Sequence, residues 1–220
     1  MTKLIIGFTG KKASGKTTAG VHMCRKKGFI RHSFADPIKT MAFHFIKSFG
    51  YADREAYDFL NGEKETTIPK IACSGRRIMQ TLGTEWGRRC IRDDVWVRAE
   101  IFNLGQTTAQ RIVFDDVRFE NEAALIRAMG GTIIHIDRSF DADHEIDHHA
   151  SESGIHEQSG DLFIDNDGSL DDFIKDLDAL IEQNITGHCF INAIMNRQIV
   201  ALAELPACDG EPRLSKFLGL

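Results

Sequence analysis

The residues with the clearest chemical potential lie near the amino terminus, where residues 10–17 read GKKASGKT. This stretch matches the pattern G-x-x-x-x-G-K-[ST], in which glycines allow backbone N–H groups to curl around phosphate oxygens. Lys16 would then reach the β- and γ-phosphates of a nucleoside triphosphate, and the Thr17 hydroxyl would bind Mg²⁺. The stretch predicts a phosphate-binding loop, whereas the plainer alternative is a glycine-rich turn with a surface lysine. The predicted contacts come from Gly10, Ala13, Ser14, Gly15, Lys16, Thr17 and Thr18.

A second candidate group is the stretch of residues 74–98, which holds six arginines and no lysine. On an α-helix, Arg77 and Arg88 would share a face with Thr81 and Thr84, because the spacings are 4, 3 and 4 residues. A separate apolar stripe would be formed by Met79, Leu82, Trp86 and Cys90. Because the planar guanidinium favours bidentate phosphate recognition, the stretch predicts a second phosphate site. The alternative is a solvated helix whose arginines pair with Glu85, Asp93 and Asp94.

Two further polar groups are open to more than one interpretation. Asp36 lies just before Pro37 at a predicted helix start. Its carboxylate would therefore either act as a catalytic base, contact a sugar, or simply cap the helix. The stretch of residues 141–152, DADHEIDHHASE, contains three histidines among carboxylates, which suggests zinc: His144, His148 and His149. Their spacing matches no closed four-ligand set, so zinc has little support in this segment.

The elements that must position these groups follow from an alternation of strands and helices. Apolar runs predict five strands, at residues 4–8, 29–34, 111–117, 132–137 and 161–166. Helical periodicity lies between and after them, at residues 16–27, 36–49, 119–129 and 169–181. This order predicts an α/β three-layer domain over residues 1–184 with a mostly parallel five-stranded sheet. Two stretches interrupt the alternation: residues 50–110 predict an inserted helical lobe, and residues 139–160 predict a short lid.

The composition is that of an ordinary globular protein. The chain has 220 residues, of which 42% are hydrophobic and 27% are charged, and its net charge is −5. These values fit one domain with a sizeable core and argue against a general nucleic-acid or membrane binder. The first apolar run is too short for a signal peptide or a spanning helix, and the five cysteines include no C-x-x-C pair. We therefore expect reduced thiols and a cytoplasmic protein.

Six stretches occur in an order that carries a family resemblance. They are GKKASGKTT, FADPIK, RRIMQTLGTE, DDVRFENEAALIRAMGGTIIHIDR, HHASESG and DLFIDNDGSL, and they span residues 3 to about 184. In these stretches the chain resembles the deoxynucleoside monophosphate kinases of tailed bacteriophages. The resemblance implies a P-loop fold of the nucleoside monophosphate kinase group. It also implies transfer of the γ-phosphoryl group of ATP to a deoxynucleoside monophosphate (dNMP), with Mg²⁺, giving ADP and a diphosphate.

The resemblance also implies roles for individual positions. Lys16, Arg77, Arg88 and Arg118 would be catalytic, and Thr17 with Asp116 would hold Mg²⁺ or its water. The turn beside the ATP base would contain Asn166 and Gly168. Contacts to the acceptor nucleotide would come from Asp36, Lys39, Arg76, Arg77, Gln80, Thr84, Arg88, Asp116, Arg118 and, in the lid, His149.

Two other functions remain open at this point. A kinase of another small acceptor, such as dephospho-coenzyme A, would share the phosphate loop and the late N-x-G turn but not RRIMQTLGTE. A regulatory nucleotide-binding protein without catalysis would need only the loop. Residues 185–220 lie beyond the resemblance, and an amphipathic pattern over 190–205 would either cover the core or form an oligomer contact, which leaves a homodimer open. The expected partner is a small molecule rather than a nucleic acid or a membrane.

Overall fold

The computed structural model describes residues 3–139 and 155–184. His149, most of the predicted lid and the extension 185–220 therefore lie outside the described residues. The elements in chain order are β1 (Leu4–Thr9), α1 (Lys16–Lys27), β2 (Ile30–His32), α2 (Asp36–Lys47), α3 (Asp53–Asn61), β3 (Thr67–Ile68), β4 (Cys73–Ser74), α4 (Gly75–Gln80), a π-helix (Thr81–Ile91), α5 (Val95–Gln106), β5 (Arg111–Phe114), α6 (Glu120–Ala128), β6 (Thr132–Asp137), β7 (Leu162–Asp165) and α7 (Leu170–Asn184).

The chain divides into two compact units. The sheet unit comprises the chain up to Ser33 and from Ile101 onward, and the helical unit comprises Phe34–Glu100. The sequence pattern predicted an inserted lobe over residues 50–110, so the helical unit starts earlier and ends earlier than that prediction. The difference arises at α2, whose apolar residues Ala42 and Ile46 pack into the core of the helical unit.

The sheet unit is built on five strands in the order β2-β5-β1-β6-β7, and every pairing is parallel. Along β1, Ile6 and Phe8 pack into the same core as residues of α1 and α7. Gly7 lies on the opposite face, where a Cβ would approach Ile126 of α6 to 2.7 Å. This alternation with a period of two places helices on both sides of the sheet. The predicted α/β class and the five-stranded parallel sheet are confirmed.

The helical unit has its own apolar core. Helices α2, α3 and α4 meet around six buried residues: Ala42, Ile46, Ala56, Leu60, Ile68 and Ile78. A two-residue antiparallel pairing of β3 and β4, which the sequence pattern did not predict, leads directly into α4. At that junction a Cβ on Gly75 would overlap the carbonyl oxygen of Phe59, so only glycine fits.

The start of α2 differs by one residue from the predicted one. Ala35 is the N-cap and Asp36 is the first helical residue, with Pro37 following it. The N-cap interpretation of Asp36 is therefore wrong, and its carboxylate instead lies in the first turn, where a negative charge is favourable.

Among the residues that the structure describes, no helix combines the length and apolar character that crossing a bilayer requires.

Candidate phosphate-binding site

The glycine-rich loop joins the central strand β1 to helix α1. Its backbone takes left-handed conformations at Gly10 (φ 139°), Ala13 (φ 62°) and Gly15 (φ 113°). A Cβ on Gly10 would overlap the carbonyl oxygen of Ile136 in β6. This position therefore requires glycine for two reasons, the left-handed backbone and the lack of room for a Cβ. Successive turns of this kind direct N–H groups toward a common point and create an anion-binding concavity at the start of a helix.

Lys16 lies at the first position of α1 and its side chain crosses back over the loop. The Nζ atom donates hydrogen bonds to the carbonyl oxygens of Gly10 and Lys11, both at 2.6 Å. These bonds hold the ammonium at the mouth of the loop, where a triphosphate would meet it. Thr17 and Thr18 follow in the same turn and are exposed.

Asn166 lies just after β7, the neighbour of β6, and contacts this loop directly. Its side-chain Nδ2 donates to the carbonyl oxygen of Ser14 at 2.7 Å, and both residues are buried. The resemblance placed Asn166 and Gly168 beside the ATP base, but the contact seen for Asn166 is with the phosphate loop. Gly168 lies in the turn before α7, where a Cβ added to it would stand 3.5 Å from the Cβ of Asp172.

Two consecutive aspartates follow β5, which neighbours β1 in the sheet. Asp115 is buried and accepts a 2.8 Å hydrogen bond from Nε of Arg31, while its Cβ lies 2.8 Å from where a Cβ on Gly20 would stand. Asp116 accepts a hydrogen bond from the Ser33 hydroxyl at 2.5 Å. Since β1 and β5 are parallel, both aspartates lie at the same sheet edge as the phosphate loop.

This edge supplies the oxygen donors that Mg²⁺ prefers. The hydroxyl of Thr17 and the carboxylate of Asp116 are hard oxygen ligands of the kind found with Mg²⁺ and phosphates. Sequence reasoning singled out Asp116 but missed Asp115 and its partner Arg31. The position of Asp115 directly after an apolar strand was the signal that would have identified it.

Arg118 lies in the turn between β5 and α6, and the backbone of this turn is fixed by one buried carboxylate. Glu122 accepts hydrogen bonds from the N–H groups of Arg118 at 2.8 Å and of Phe119 at 3.1 Å. Glu122 is itself buried within α6. The Arg118 guanidinium is therefore attached to a rigid backbone at the same edge of the sheet.

The arginines of the helical unit occupy contrasting environments. The Arg88 side chain is only 4% exposed, and its Nη1 donates to the carbonyl oxygen of Asp93 at 2.7 Å. The Arg77 side chain is 60% exposed, with its Nη1 3.5 Å from Glu85. Arg76 is mostly buried and lies 3.3 Å from Glu65. The helical spacing predicted one common face for Arg77 and Arg88, but in the structure one side chain is exposed and the other is buried.

The reason is that residues 81–91 form a π-helix rather than an α-helix. A π-helix closes each turn over one more residue, so spacings of 4, 3 and 4 no longer mark one face. The predicted apolar stripe holds for Met79 and Leu82, which pack against the core of the helical unit, but not for Trp86, which is 43% exposed, or for Cys90, which is exposed. The buried face instead contains Gly83, Thr84, Gly87 and Arg88.

Trp96 of α5 packs against this π-helix. Its indole Nε1 donates to the carbonyl oxygen of Gly83 at 2.7 Å, and a Cβ on Gly87 would overlap its ring. Three further predicted acceptor contacts also belong to the helical unit: Lys39 in α2 and Gln80 at the end of α4 are half-buried, and Thr84 is buried. The structure therefore brings the loop residues, Asn166 and the β5 edge together in one unit, and the arginine-rich set in the other.

A further ion-pair cluster fixes the chain where it enters β7. Asp161 accepts hydrogen bonds from Nη2 of Arg127 at 2.6 Å and from Nε2 of His135 at 3.0 Å. Burial alone would raise the pKa of Asp161, but the hydrogen bonds from Arg127, His135 and the backbone of Gln158 outweigh it and lower that pKa. This carboxylate is charged at neutral pH and joins α6, β6 and the segment before β7.

A parallel sheet whose central strand leads through a G-x-x-x-x-G-K-[ST] loop into a helix defines the P-loop class of nucleotide-binding proteins. The sequence profile of the deoxynucleotide monophosphate kinase family matches residues 53–177. A protein of Acanthamoeba polyphaga mimivirus, described as a deoxynucleotide monophosphate kinase homologue, is 30% identical over 193 residues, covering 81% of this chain and 96% of that protein. The chain therefore belongs to the deoxynucleotide monophosphate kinase family.

Two phage proteins, both named deoxynucleotide monophosphate kinase, are similar over a shorter region. The protein of Escherichia phage RB69 is 34% identical over 110 residues, which is 48% of this chain and 44% of that protein. The protein of Enterobacteria phage T4 is 34% identical over 108 residues, or 46% and 43% of the two chains. The matched region thus covers less than half of either phage protein.

Proposed function

We propose that this protein transfers the γ-phosphoryl group of ATP to a deoxynucleoside monophosphate, producing ADP and a deoxynucleoside diphosphate. The observation that carries the proposal is the loop after β1, with left-handed turns at Gly10 and Gly15 and with the Lys16 ammonium held over it. Together these groups would cradle the phosphates of ATP. Membership of the deoxynucleotide monophosphate kinase family supports the choice of acceptor.

On the ATP side, the loop N–H groups and Lys16 would neutralise the β- and γ-phosphates. Thr17 and Asp116 would hold Mg²⁺, which would offset the negative charge of the phosphates. Arg118, on its rigid turn, would place a guanidinium near the transferring group. Asp115, already paired with Arg31, would keep α1 and the β5 edge in register rather than bind the metal itself.

On the acceptor side, the helical unit would bind the monophosphate. Arg88 is the leading candidate, because a guanidinium removed from water interacts more strongly with an anion than an exposed one does. The remaining contacts to the phosphate and nucleobase of the acceptor would come from Arg76, Arg77, Gln80 and Thr84. Contacts to its sugar or phosphate would come from Asp36 and Lys39.

This division of roles fits the chemistry of phosphoryl transfer. The transition state is loose, so catalysis depends on positioning and charge neutralisation more than on a strong base. A monophosphate brings about two negative charges at neutral pH, and the transferring group brings more. Arginines at the acceptor site and a lysine at the ATP site would offset the repulsion between the two anionic substrates.

An acceptor panel tests the proposal. ADP release would be measured with Mg²⁺, ATP and each of the four deoxynucleoside monophosphates, their ribose forms and dephospho-coenzyme A. We expect turnover with at least one deoxynucleoside monophosphate, and a kcat lowered by roughly 100-fold or more in the Lys16→Ala variant. Activity confined to dephospho-coenzyme A, or ATP binding without any turnover across the panel, would contradict the proposal.

A further inference from the structure

Asn166 occupies a rigid position at the end of two adjacent strands. Its backbone N–H donates to the carbonyl oxygen of Asp137 at 2.8 Å, which continues the β6–β7 pairing by one step. The residue is 8% exposed, so its side chain is fixed by packing as well as by its backbone. An amide held in this way is a fixed reference point from which a loop can be positioned.

The loop is attached to that point through one peptide group. Nδ2 of Asn166 donates to the carbonyl oxygen of Ser14, and a Cβ on Gly15 would stand 2.5 Å from the same nitrogen. A trans peptide is planar, with its C=O and N–H pointing in opposite directions. Since the Ser14 carbonyl points toward Asn166, the N–H of Gly15 points away from it.

This orientation matters because Gly15 is the residue directly before α1 and has a left-handed backbone. Its N–H is one of the donors that a helix start offers to an anion. If the Ser14–Gly15 peptide rotated, the carbonyl oxygen would be presented in place of the donor, and a dipole that attracts phosphate would repel it.

We propose that Asn166 is a positioning residue for the phosphate loop, acting on the triphosphate through the Ser14–Gly15 peptide and not through the ATP base. The inference rests on the proposed function only in that the loop binds the phosphates of ATP. It assigns to the late N-x-G turn a role in phosphate binding that its place in the sequence does not reveal.

A ligand without a base separates the two roles. Binding of inorganic tripolyphosphate and of ATP, each with Mg²⁺, would be measured by calorimetry for the full chain and for Asn166→Ala. Loss of one buried hydrogen bond should weaken both ligands by a similar factor, roughly 3- to 10-fold. Asn166→Asp, which replaces the amide donor by an acceptor, should weaken both further. The control is Asn184→Ala, which removes the same kind of amide-to-carbonyl bond, to Leu180 at 2.9 Å, from an exposed helix end.

The outcomes separate the inference from the function on which it rests. Weakened ATP binding with unchanged tripolyphosphate binding in Asn166→Ala would establish a base contact and overturn the inference, as would no effect on either ligand. Equal melting temperatures for Asn166→Ala and Asn184→Ala, with only the former losing affinity, would exclude a general loss of stability. If Lys16→Ala bound tripolyphosphate as tightly as the unmodified chain, the phosphate-loop assignment itself would fail.

Discussion

Arg88 gives the sharpest test of the proposed acceptor site, through its replacement by lysine. Arg88→Lys keeps the positive charge but removes the planar fork, so it tests directional hydrogen bonding and not charge alone. Because the side chain is 4% exposed, solvent screens its interactions very little. Losing one charge-assisted hydrogen bond to the acceptor phosphate should cost about 1.5–3 kcal/mol. At about 1.4 kcal/mol per decade, kcat/KM for the monophosphate should fall by roughly one to two decades.

The assay is steady-state ADP release in which each substrate is varied separately. We expect the loss in Arg88→Lys to appear in kcat/KM for the monophosphate, with KM for ATP changed less than about twofold. Arg77→Lys should cost less, because its side chain is 60% exposed and lies near Glu85, and screened pairs of this kind contribute roughly 0–1 kcal/mol. Arg89→Lys provides the matched control, since Arg89 is an exposed neighbour in the same π-helix.

Two results would refute the reasoning. If Arg88→Lys behaved like Arg89→Lys, the buried arginine would have no part in acceptor binding. If it lowered kcat/KM for both substrates by the same factor and also lowered the melting temperature, Arg88 would serve only to hold the chain at Asp93, whose carbonyl oxygen it contacts. A loss confined to the monophosphate supports the assignment.

Other contacts lead to three further predictions. Lys16→Ala should lower kcat by roughly 100-fold or more in ADP release, since it removes a donor aimed at developing charge. Asp161→Asn should lower the free energy of unfolding at pH 7 by roughly 3 kcal/mol, because Arg127 loses its charged partner at 2.6 Å, whose side chain is buried. Since the folded-state pKa of Asp161 is lowered, that difference should shrink in urea titrations as the pH falls below about 4. Gly87→Ala should lower the melting temperature by several degrees, since its Cβ would overlap Trp96, and Trp96→Phe should restore part of the loss.

The sheet unit was predictable because its signals are local. A strand buried on both faces reads as a continuous apolar run, and β1 and β6 were located to within one residue. The bounds of α1 matched because a glycine in a left-handed conformation ends the helix at Gly28. The glycine-rich loop between β1 and α1 was located for the same reason, since its residues are contiguous in sequence.

Features that depend on distant residues were missed. The pairing of Asp115 with Arg31 joins the ends of two strands that are far apart in the chain. The contact of Asn166 with Ser14 spans 152 positions, and no spacing rule connects them. The bounds of the helical unit were also misplaced, because periodicity shows that α2 has an apolar face but not which core that face covers.

The π-helix shows why the arginine pattern gave the wrong face. Spacing arguments assume a fixed number of residues per turn, and a π-helix has more residues per turn than the α-helix that the spacing assumed. Glycines at 83 and 87 leave room for the ring of Trp96, whose N–H binds the Gly83 carbonyl, and a Cβ on Gly87 would overlap that ring. The widened turn places Thr84 and Arg88 on the buried side and Trp86 in solvent. The π-helix that buries Arg88 therefore packs against a tryptophan that lies outside the motif, and the residues of RRIMQTLGTE alone could not indicate that contact.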